Sequence, residues 1–285
     1  MCRFLAQIST QPERADEFIV HSEFSLLKQS GLKADRLQKD GWGIGYFNGS
    51  RPVVIKSPRP AYEEPAAVAA ASERAVSKVT IGHIRAASNP RKIPEKLLLS
   101  AENTQPFENG EWIFAHNGTV EIPDEVASRL GPLKKRVKSL NDSEVYFWQF
   151  FKFLSKTGNP AAAFELCVEE LWDLWKDCAH RYPEKSVPYT SLNAVAAREN
   201  ALYAFCHSVF VPTPNEALSN SRQPWYTLNF SRRGNALIIA SEGLDRGRWD
   251  LCADPEIISA SISEGRLDFS RKNYSFQNGR IIGDR

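Results

Sequence analysis

The sequence predicts an α+β protein in which two sheets pack face to face and helices cover them from outside. Strand-like segments dominate the first part of the chain, two convincing helices lie in the middle, and the last third returns to strands. No internal repeat, low-complexity tract or Gly/Ser linker interrupts this order. We therefore expect a single domain over residues 2–285.

The first part of the chain alternates strands with helical segments. The strand candidates are CRFLAQIS, the two arms of DGWGIGYFNGSRPVVIKS, VTIGHIRAAS and WIFAHNGTV. ADEFIVHSEFSLLKQS has apolar residues at roughly helical spacing, and EEPAAVAAASERAVSK is a second, alanine-rich helix candidate. Asn48-Gly49 predicts a type I′ hairpin between the two arms, and Asn117-Gly118 is also typical of a turn.

Two helices and four strands are predicted for the rest of the chain. DSEVYFWQFFKFLSK has Asp142 in its first turn and a stop signal at Gly158-Asn159, and PAAAFELCVEELWDLWKDCAH begins with Pro160. The strand candidates that follow are SLNAVAAR, ALYAFCHS, WYTLNFS and ALIIASE, separated in part by the turns REN and RRGN.

Composition indicates a globular protein with a small-molecule partner. Of 285 residues, 42% are hydrophobic, and seven Trp and sixteen Phe can fill a sizeable core. The 36 basic and 34 acidic residues are spread along the chain, so we expect neither nucleic acid nor a membrane surface as partner. No segment approaches the ~18 apolar residues of a membrane span, and the N-terminus becomes charged too early for a signal peptide.

The cysteines indicate a reducing compartment. Cys2, Cys167, Cys178, Cys206 and Cys252 are odd in number, widely spaced and free of any CxxC pair. This pattern argues against a disulfide framework and against a zinc site. We therefore expect a cytoplasmic protein that needs no metal or other cofactor.

Cys2 becomes the N-terminal residue if the initiator methionine is removed, and cysteine is small enough to permit that removal. A free terminal cysteine carries an α-amine with a pKa of roughly 7.7 to 8.0 and a thiol with a pKa of roughly 8.5. One residue then supplies both a nucleophile and a base.

Two charged residues each allow a structural and a ligand-binding interpretation. Arg85 lies in the apolar segment GHIRAAS, where it either forms a structural ion pair or receives a small carboxylate. Asp142 begins a predicted helix, where a cap or first-turn carboxylate is expected, and it can also face a ligand ammonium group. One cation and one anion among apolar neighbours suit an amino-acid zwitterion.

Asn117 and Gly118 also have a chemical interpretation besides the turn. An Asn amide and an adjacent Gly N–H can donate to one oxyanion, and each such donor lowers a barrier by about 3 kcal/mol. His116, beside them, reads as a core histidine with a satisfied ring. The GxGxG pattern at 41–45 leads into a hairpin, so we expect close backbone or ligand approach rather than a dinucleotide loop.

In this order, Cys2 and the motifs DGWGIGYF, GHIRAAS, NTQPF, FAHNG and NDSE resemble the glutaminase domain of class II glutamine amidotransferases. These enzymes are N-terminal nucleophile (Ntn) hydrolases, so the resemblance implies a four-layer αββα sandwich of two antiparallel sheets flanked by helices. The closest match covers residues 2–145. The part up to about residue 250 would complete the sheets, and 251–285 would be a tail.

The resemblance also implies a mechanism. Cys2 would attack the side-chain amide carbon of glutamine, with its own α-amine as general base. Ammonia would leave a thioester, which water would then hydrolyse to glutamate. Asn117 and Gly118 would form the oxyanion hole.

The same resemblance implies the residues that hold the substrate. Arg85 would bind the α-carboxylate of glutamine and Asp142 its α-ammonium group. His83 and Trp42, which lie in the same motifs, complete the expected substrate-binding set.

Three functions remain open at this point. Too little sequence follows residue 250 for a synthase domain, so we expect either that a separate synthase subunit takes the ammonia or that the enzyme simply hydrolyses its γ-glutamyl amide substrate. Stand-alone proteins similar to this one include hydrolases of γ-glutamyl peptides and of thiol-compound precursors, which makes a γ-glutamyl hydrolase the first alternative. A non-catalytic glutamine sensor that retains Met1 is the second.

Overall fold

In the computed structural model, which describes residues 2–209, 216–219 and 223–283, fourteen strands form two antiparallel sheets of seven strands each. The strands are β1 (Arg3–Glu13), β2 (Trp42–Asn48), β3 (Arg51–Ser57), β4 (Ser77–Ile84), β5 (Phe107–Glu108), β6 (Ile113–Val120), β7 (Tyr189–Arg198), β8 (Ala201–Cys206), β9 (Asn229–Arg233), β10 (Ala236–Ala240), β11 (Asp250–Leu251), β12 (Glu256–Ser263), β13 (Arg266–Gln277) and β14 (Arg280–Gly283). The first sheet has the order β11-β9-β10-β1-β4-β2-β3, and the second has the order β14-β13-β12-β8-β7-β6-β5.

The helices lie on the outer faces of both sheets. They are α1 (Leu26–Ser30), α2 (Pro65–Arg74), α3 (Pro123–Ser128), α4 (Asp142–Thr157) and α5 (Pro160–Cys178). Single 3₁₀ segments occur at Ala34–Arg36, Ala61–Glu63, Glu95–Leu97, Gly131–Arg136 and Ala179–Arg181, and a π-helical turn occurs at Glu17–His21.

Apolar side chains fill three interfaces between four layers. Because successive side chains of a strand point to opposite faces, Phe4 and Ile8 of β1 pack between the sheets while Leu5 packs towards the helices on the outside. On the far side, α4 and α5 cover the second sheet with an aromatic cluster in which the rings of Phe150 and Phe164 lie 4.5 Å apart. The predicted αββα sandwich is confirmed.

Both predicted helices in the middle of the chain are confirmed with their signals. The Asn141 side chain caps α4 by accepting a hydrogen bond from the Ser143 amide at 2.9 Å. Gly158 ends the helix with a φ of 64°, and Pro160 begins α5. Asp142 is therefore the first residue of α4, and the capping residue is Asn141.

The first predicted helix is wrong as one continuous element. The segment forms the π-helical turn and then α1, with Ser25 between them as the N-cap of α1. The Ser25 hydroxyl donates to the Val20 carbonyl at 2.9 Å and accepts from the Lys28 amide at 3.4 Å. Serine competes in this way with the backbone hydrogen bonds that would continue a helix.

The predicted hairpin is confirmed, but its turn type is wrong. Asn48 pairs with Arg51, so Gly49 and Ser50 form the two-residue loop. A type I′ turn needs positive φ at both loop residues, and of these two only Gly49 has it, with 59°.

The segment 251–285, expected as a tail, contains three strands up to residue 283. β12 pairs with β8 over six residues and β13 pairs with β12 over eight, so this segment extends the second sheet. The strand expected in WYTLNFS begins only at Asn229.

Candidate active site

Cys2 lies at the start of β1 and points between the two sheets. It is two residues from Phe4, which belongs to the core between the sheets, and it is only 7% exposed. Its thiol donates to the Ala86 carbonyl at 3.4 Å. Burial raises the pKa of the thiol, whereas the Arg85 guanidinium lowers it. Because burial disfavours the charged thiolate, a base near Cys2 is needed to take the thiol proton. Met1, whose removal would expose the α-amine of Cys2, lies outside the described residues.

Arg85 is a buried cation without a carboxylate partner among the described residues. It follows β4 directly, its amide donates to the Gly41 carbonyl at 2.8 Å, and it is 2% exposed. Its Nη1 donates to two backbone carbonyls, those of Leu98 at 2.7 Å and Asp40 at 3.3 Å. The Asp40 carboxylate instead accepts from the Ala87 amide at 2.7 Å. Among the described residues, no carboxylate forms the structural ion pair that was one of the two interpretations of Arg85.

Asp142 is the corresponding anion, and it is 1% exposed. One carboxylate oxygen accepts from the Ser88 hydroxyl at 2.7 Å and the other from the Val120 amide at 2.8 Å. Within the described ranges no Lys, Arg or His nitrogen lies within 4.0 Å of this carboxylate. The hydrogen bonds from Ser88 and Val120 come from neutral donors, so they do not neutralise the carboxylate. Its negative charge can therefore attract a ligand cation.

Asn117 and Gly118 lie inside the continuous strand β6, so the expected turn is wrong. The pairing with β7 shifts its register after Gly118, which marks an irregularity rather than a chain reversal. A Cβ on Gly118 would lie 1.9 Å from the Ser191 carbonyl oxygen, so the neighbouring backbone leaves room only for glycine. The pairing of β6 with β7 therefore outweighs the preference of the Asn117-Gly118 dipeptide for a turn.

The Asn117 side chain reaches across to the first sheet. Its Nδ2 donates to the Ser241 hydroxyl at 3.2 Å, which leaves the second Nδ2 hydrogen without a described acceptor. Its Oδ1 is buried and also has no partner in the described part of the chain. Because one Nδ2 hydrogen is bound to Ser241 and the other has no described acceptor, the Asn117 amide can donate to a ligand oxygen.

His116 is a core histidine, as predicted. Its Nδ1 lies 2.9 Å from the Ser143 hydroxyl and its Nε2 lies 2.9 Å from the Ser191 carbonyl oxygen. The backbone of His116 is held by Gln105, whose Oε1 accepts from the His116 amide at 2.7 Å and whose Nε2 donates to its carbonyl at 3.1 Å. This double contact fixes the strand position directly before Asn117.

The glycine pattern at 41–45 serves close backbone approach, as predicted. A Cβ on Gly43 would lie 2.3 Å from the Gln105 carbonyl oxygen and 2.9 Å from Cδ of Pro106. The missing side chain therefore lets the segment that holds β6 pack directly on β2.

His83 and Trp42 lie on opposite faces of the first sheet. His83 is fully buried between the sheets, where its Nε2 is 3.4 Å from the His116 carbonyl oxygen and its Nδ1 has no described partner. Burial lowers the pKa of His83 to about 3, so its ring is neutral. Trp42 packs on the outer face, and its indole donates to Glu64 at 2.9 Å.

The structure brings together six of the seven predicted site residues. Besides the effect of burial, Arg85 lowers and Asp142 raises the pKa of the Cys2 thiol, so both charges lie near it. Ser241 contacts both Asn117 and the Phe4 amide, and His83 lies 3.4 Å from the carbonyl oxygen of His116, which precedes Asn117. The six are Cys2, His83, Arg85, Asn117, Gly118 and Asp142. Trp42 is the one that the structure places elsewhere.

Sequence reasoning missed the residues that support this group. Ser88 holds Asp142, Ser241 holds Asn117, and Glu242 forms a fully buried ion pair with Arg3. The polar pair Ser241-Glu242 directly after an apolar strand was the available signal, since charged residues in such a place need partners.

Metal-binding clusters and membrane-spanning helices are both absent from the described ranges. No three His, Cys, Asp or Glu side chains there form a group that could hold a metal ion. No described helix combines the length and the apolar character that a membrane span requires.

Curated relatives match part of this chain. The γ-glutamyl-hercynylcysteine sulfoxide hydrolase of Mycobacterium tuberculosis is 32% identical over 132 residues, which is 42% of this chain and 50% of that protein. The chain spans about half the length of the curated relatives it matches.

Solved structures match nearly the whole fold. A glutamine aminotransferase class-II domain protein from Silicibacter pomeroyi superimposes with a TM-score of 0.62 at 18% identity, covering 94% of this chain and 98% of that one. Glutamine phosphoribosylpyrophosphate amidotransferase from Bacillus subtilis superimposes with a TM-score of 0.56 at 16% identity, covering 95% of this chain and 49% of that one. These likenesses establish the fold.

The family comparison agrees with the fold and with the motifs. The model of the family described as glutamine amidotransferases class-II matches residues 1–258. The chain therefore belongs to the class II glutamine amidotransferases.

Proposed function

We propose that this protein hydrolyses the side-chain amide of glutamine, with Cys2 as nucleophile. The observation that carries this proposal is the pair of buried, unpaired charges beside the Cys2 thiol. Arg85 and Asp142 each lack an oppositely charged partner among the described residues, and both act electrostatically on that thiol. An α-amino acid supplies one carboxylate and one ammonium group, which would pair both charges at once.

In this proposal Arg85 binds the substrate α-carboxylate and Asp142 the α-ammonium group. Arg85 uses Nη1 for backbone carbonyls, so its remaining N–H groups can face a carboxylate. The neutral ring of His83 lines the same space without adding charge. We leave Trp42 out of the proposed site because of its position on the outer face.

Catalysis proceeds through two tetrahedral intermediates. After removal of Met1, the α-amine of Cys2 accepts the thiol proton, and the sulfur attacks the amide carbon. The oxyanion accepts hydrogen bonds from Asn117 Nδ2 and from the Gly118 amide. The α-ammonium group then gives this proton to the amide nitrogen, the carbon–nitrogen bond breaks, and ammonia leaves a thioester. The α-amine next takes a proton from water as the water oxygen attacks the thioester carbon. The carbon–sulfur bond then breaks, glutamate is released, and the sulfur regains its proton from the α-ammonium group.

Both sheets supply residues to this site, so we propose that residues 2–285 act as one domain. Cys2 and Arg85 belong to the first sheet and its continuation, whereas Asn117 belongs to the second. All five cysteines are free, which supports a reducing location such as the cytoplasm. The ammonia would pass to a separate synthase subunit or be released.

A γ-glutamyl hydrolase is the second candidate function. It is favoured by the relative from M. tuberculosis, which is a γ-glutamyl-hercynylcysteine sulfoxide hydrolase. The charges of Arg85 and Asp142 recognise only the glutamyl end, which glutamine and γ-glutamyl compounds share. Both candidates use the same nucleophile and the same oxyanion donors.

The test compares substrates and labels the thiol. Purified protein is incubated with glutamine or with a γ-glutamyl dipeptide, and glutamate release is measured together with the intact mass before and after a glutamine-analogue electrophile. We expect loss of Met1, one label on Cys2, and no turnover in Cys2→Ala. Cys178→Ala, which removes a buried thiol from α5, is the matched control and should retain activity.

The outcomes separate the candidates. Faster cleavage of glutamine supports the amidotransferase reaction, and faster cleavage of the dipeptide supports the γ-glutamyl hydrolase. A retained Met1 with glutamine binding but no turnover would identify a sensor instead. Undiminished turnover in Cys2→Ala would refute the nucleophile.

A further inference from the structure

Ser241 and Glu242 directly follow β10 and contact both halves of the proposed site. Both residues are 1% exposed. β10 lies beside β1 with Ala240 opposite Leu5, and the Ser241 amide continues this ladder by donating to the Phe4 carbonyl at 2.9 Å. The pair is thus fixed to the strand that begins at the nucleophile.

The Ser241 hydroxyl oxygen accepts two hydrogen bonds, one from each sheet. The Phe4 amide donates to it at 3.1 Å, and Asn117 Nδ2 donates to it at 3.2 Å. A hydroxyl oxygen has two lone pairs, so it can satisfy both donors. One atom therefore sets the position of the oxyanion donor relative to the strand that carries the nucleophile.

Glu242 contacts Cys2 indirectly, through the side chain of Arg3. Its carboxylate accepts from Arg3 Nε at 2.7 Å, and both side chains are completely buried. It also accepts from the amides of Leu218 at 3.0 Å and Ser219 at 2.7 Å. Arg3 Nη1 in turn donates to the Cys2 carbonyl at 2.9 Å.

The ion pair constrains the peptide unit that follows the nucleophile. The Arg3 guanidinium carbon lies 3.5 Å from the centre of the Trp225 ring, which covers it. Because Arg3 cannot turn away from either partner without losing a buried hydrogen bond, the carbonyl of Cys2 is held in one direction. The direction of the α-amine on the same residue depends on that constraint.

We infer that Ser241 and Glu242 are positioning residues that fix the Cys2 nucleophile and the Asn117 oxyanion donor relative to each other. This inference rests on the proposed function. Neither the Ser241 nor the Glu242 side chain contacts the substrate in the proposed site. Ser241 acts through Phe4 and Asn117, and Glu242 acts through Arg3.

The kinetic test compares Ser241→Ala with wild type in glutamate release from glutamine or a γ-glutamyl dipeptide. We expect kcat to fall about 10- to 100-fold with little change in KM, because a small misplacement of reacting groups is costly while the charge contacts remain. Ser241→Thr keeps the hydroxyl and should restore most of kcat. Ser241→Ala should lower kcat by a smaller factor in an Asn117→Ala background, because the contact between Ser241 and Asn117 is already lost there.

The matched control is Ser231→Ala. Ser231 is a buried serine of the neighbouring strand β9, with its hydroxyl donating to the Arg248 carbonyl at 2.7 Å. It should leave kcat unchanged. A Glu242→Gln variant should also lower kcat, because a neutral amide no longer balances Arg3 and cannot accept every donor around it.

A second readout does not depend on activity. Hydrogen exchange of the Phe4 amide should accelerate at least tenfold in Ser241→Ala and stay unchanged in Ser231→Ala. If wild type cleaves no glutamyl compound, the proposed function fails and this exchange rate alone decides the inference. If Ser241→Ala does not fold, Ser241→Cys, which keeps the size but supplies only a weak acceptor, takes its place in both assays.

An unchanged kcat in a folded Ser241→Ala variant of an active enzyme would overturn the inference. So would an unchanged Phe4 exchange rate. An equal loss of kcat in Ser231→Ala would show that any buried serine in this sheet has the same effect, and would overturn it as well.

Discussion

The neutral His83 ring should make folding stability depend on pH between about 6.5 and 3. Burial between the sheets lowers the pKa of this imidazole from 6.5 to about 3. The perturbation that isolates the effect is His83→Gln, which keeps a nitrogen near the position of Nε2 but cannot titrate. His116, also buried with a lowered pKa, is present in both proteins and its contribution cancels in the comparison.

The sign follows from proton binding in the two states. Between the two pKa values the unfolded chain binds a proton at His83 and the folded protein does not, so acid favours unfolding. The stabilisation is fully present above pH 6.5 and is lost as the pH falls towards 3. At pH 5 the loss equals RT ln(1 + 10^1.5), which is about 2 kcal/mol.

Urea unfolding measured by tryptophan fluorescence at pH 8 and at pH 5 checks this value. The free energy of unfolding of wild type should fall by about 2 kcal/mol more than that of His83→Gln over this interval. Parallel pH dependence of the two proteins would mean that the folded ring titrates normally. The reasoning about its burial would then be wrong.

The other predictions concern the proposed site. Asn117→Ala should lower kcat by about 10² to 10³ with a smaller change in KM in steady-state kinetics, and an unchanged kcat would remove Asn117 from the oxyanion hole. Arg85→Lys keeps the charge but loses the fork, so KM for glutamine should rise about tenfold, and an unchanged KM would argue against carboxylate binding there. Gly118→Ala would place a Cβ 1.9 Å from the Ser191 carbonyl oxygen, so urea unfolding should show a loss of about 3 kcal/mol or more, and native stability would contradict that packing.

The fold class could be predicted, and candidate site residues could be proposed, because their signals lie within short stretches of sequence. Asn141 and Gly158 mark the ends of α4 by cap chemistry that does not depend on the rest of the protein. The motifs that carry the family resemblance supplied Cys2 and the five residues that the structure gathers around it. Their common location, however, depends on two sheets that meet only in three dimensions.

Tertiary contacts overrode a local preference at Asn117-Gly118, Arg85 and Trp42, whereas the first predicted helix was interrupted locally by the hydrogen bonds of Ser25. Asn117-Gly118 favours a turn in isolation, yet pairing with β7 on one side holds it in an extended strand. Arg85 looked like a candidate for an ion pair, but its neighbours are backbone carbonyls supplied by distant segments. Trp42 shares a motif with the site but alternation in β2 turns it to the other face.

The sequence marks Ser241 and Glu242 as polar residues that need partners, but it does not identify those partners, because they lie far away in the chain. Ser241 is 124 positions from Asn117, and Glu242 is 239 positions from Arg3. Such contacts depend on the antiparallel placement of β10 beside β1, which brings the end of one strand to the start of the other.

The gap between the two sheets separates the proposed nucleophile from the proposed oxyanion donor, because Cys2 precedes a strand of the first sheet and Asn117 lies in the second. Small side chains such as Ala6 and Ala115 line this gap and keep the walls near each other. A bulkier residue at either position would widen the separation of sulfur and amide without touching any reacting group. Ordinary core residues of this protein would therefore set the distance between the Cys2 sulfur and the Asn117 amide.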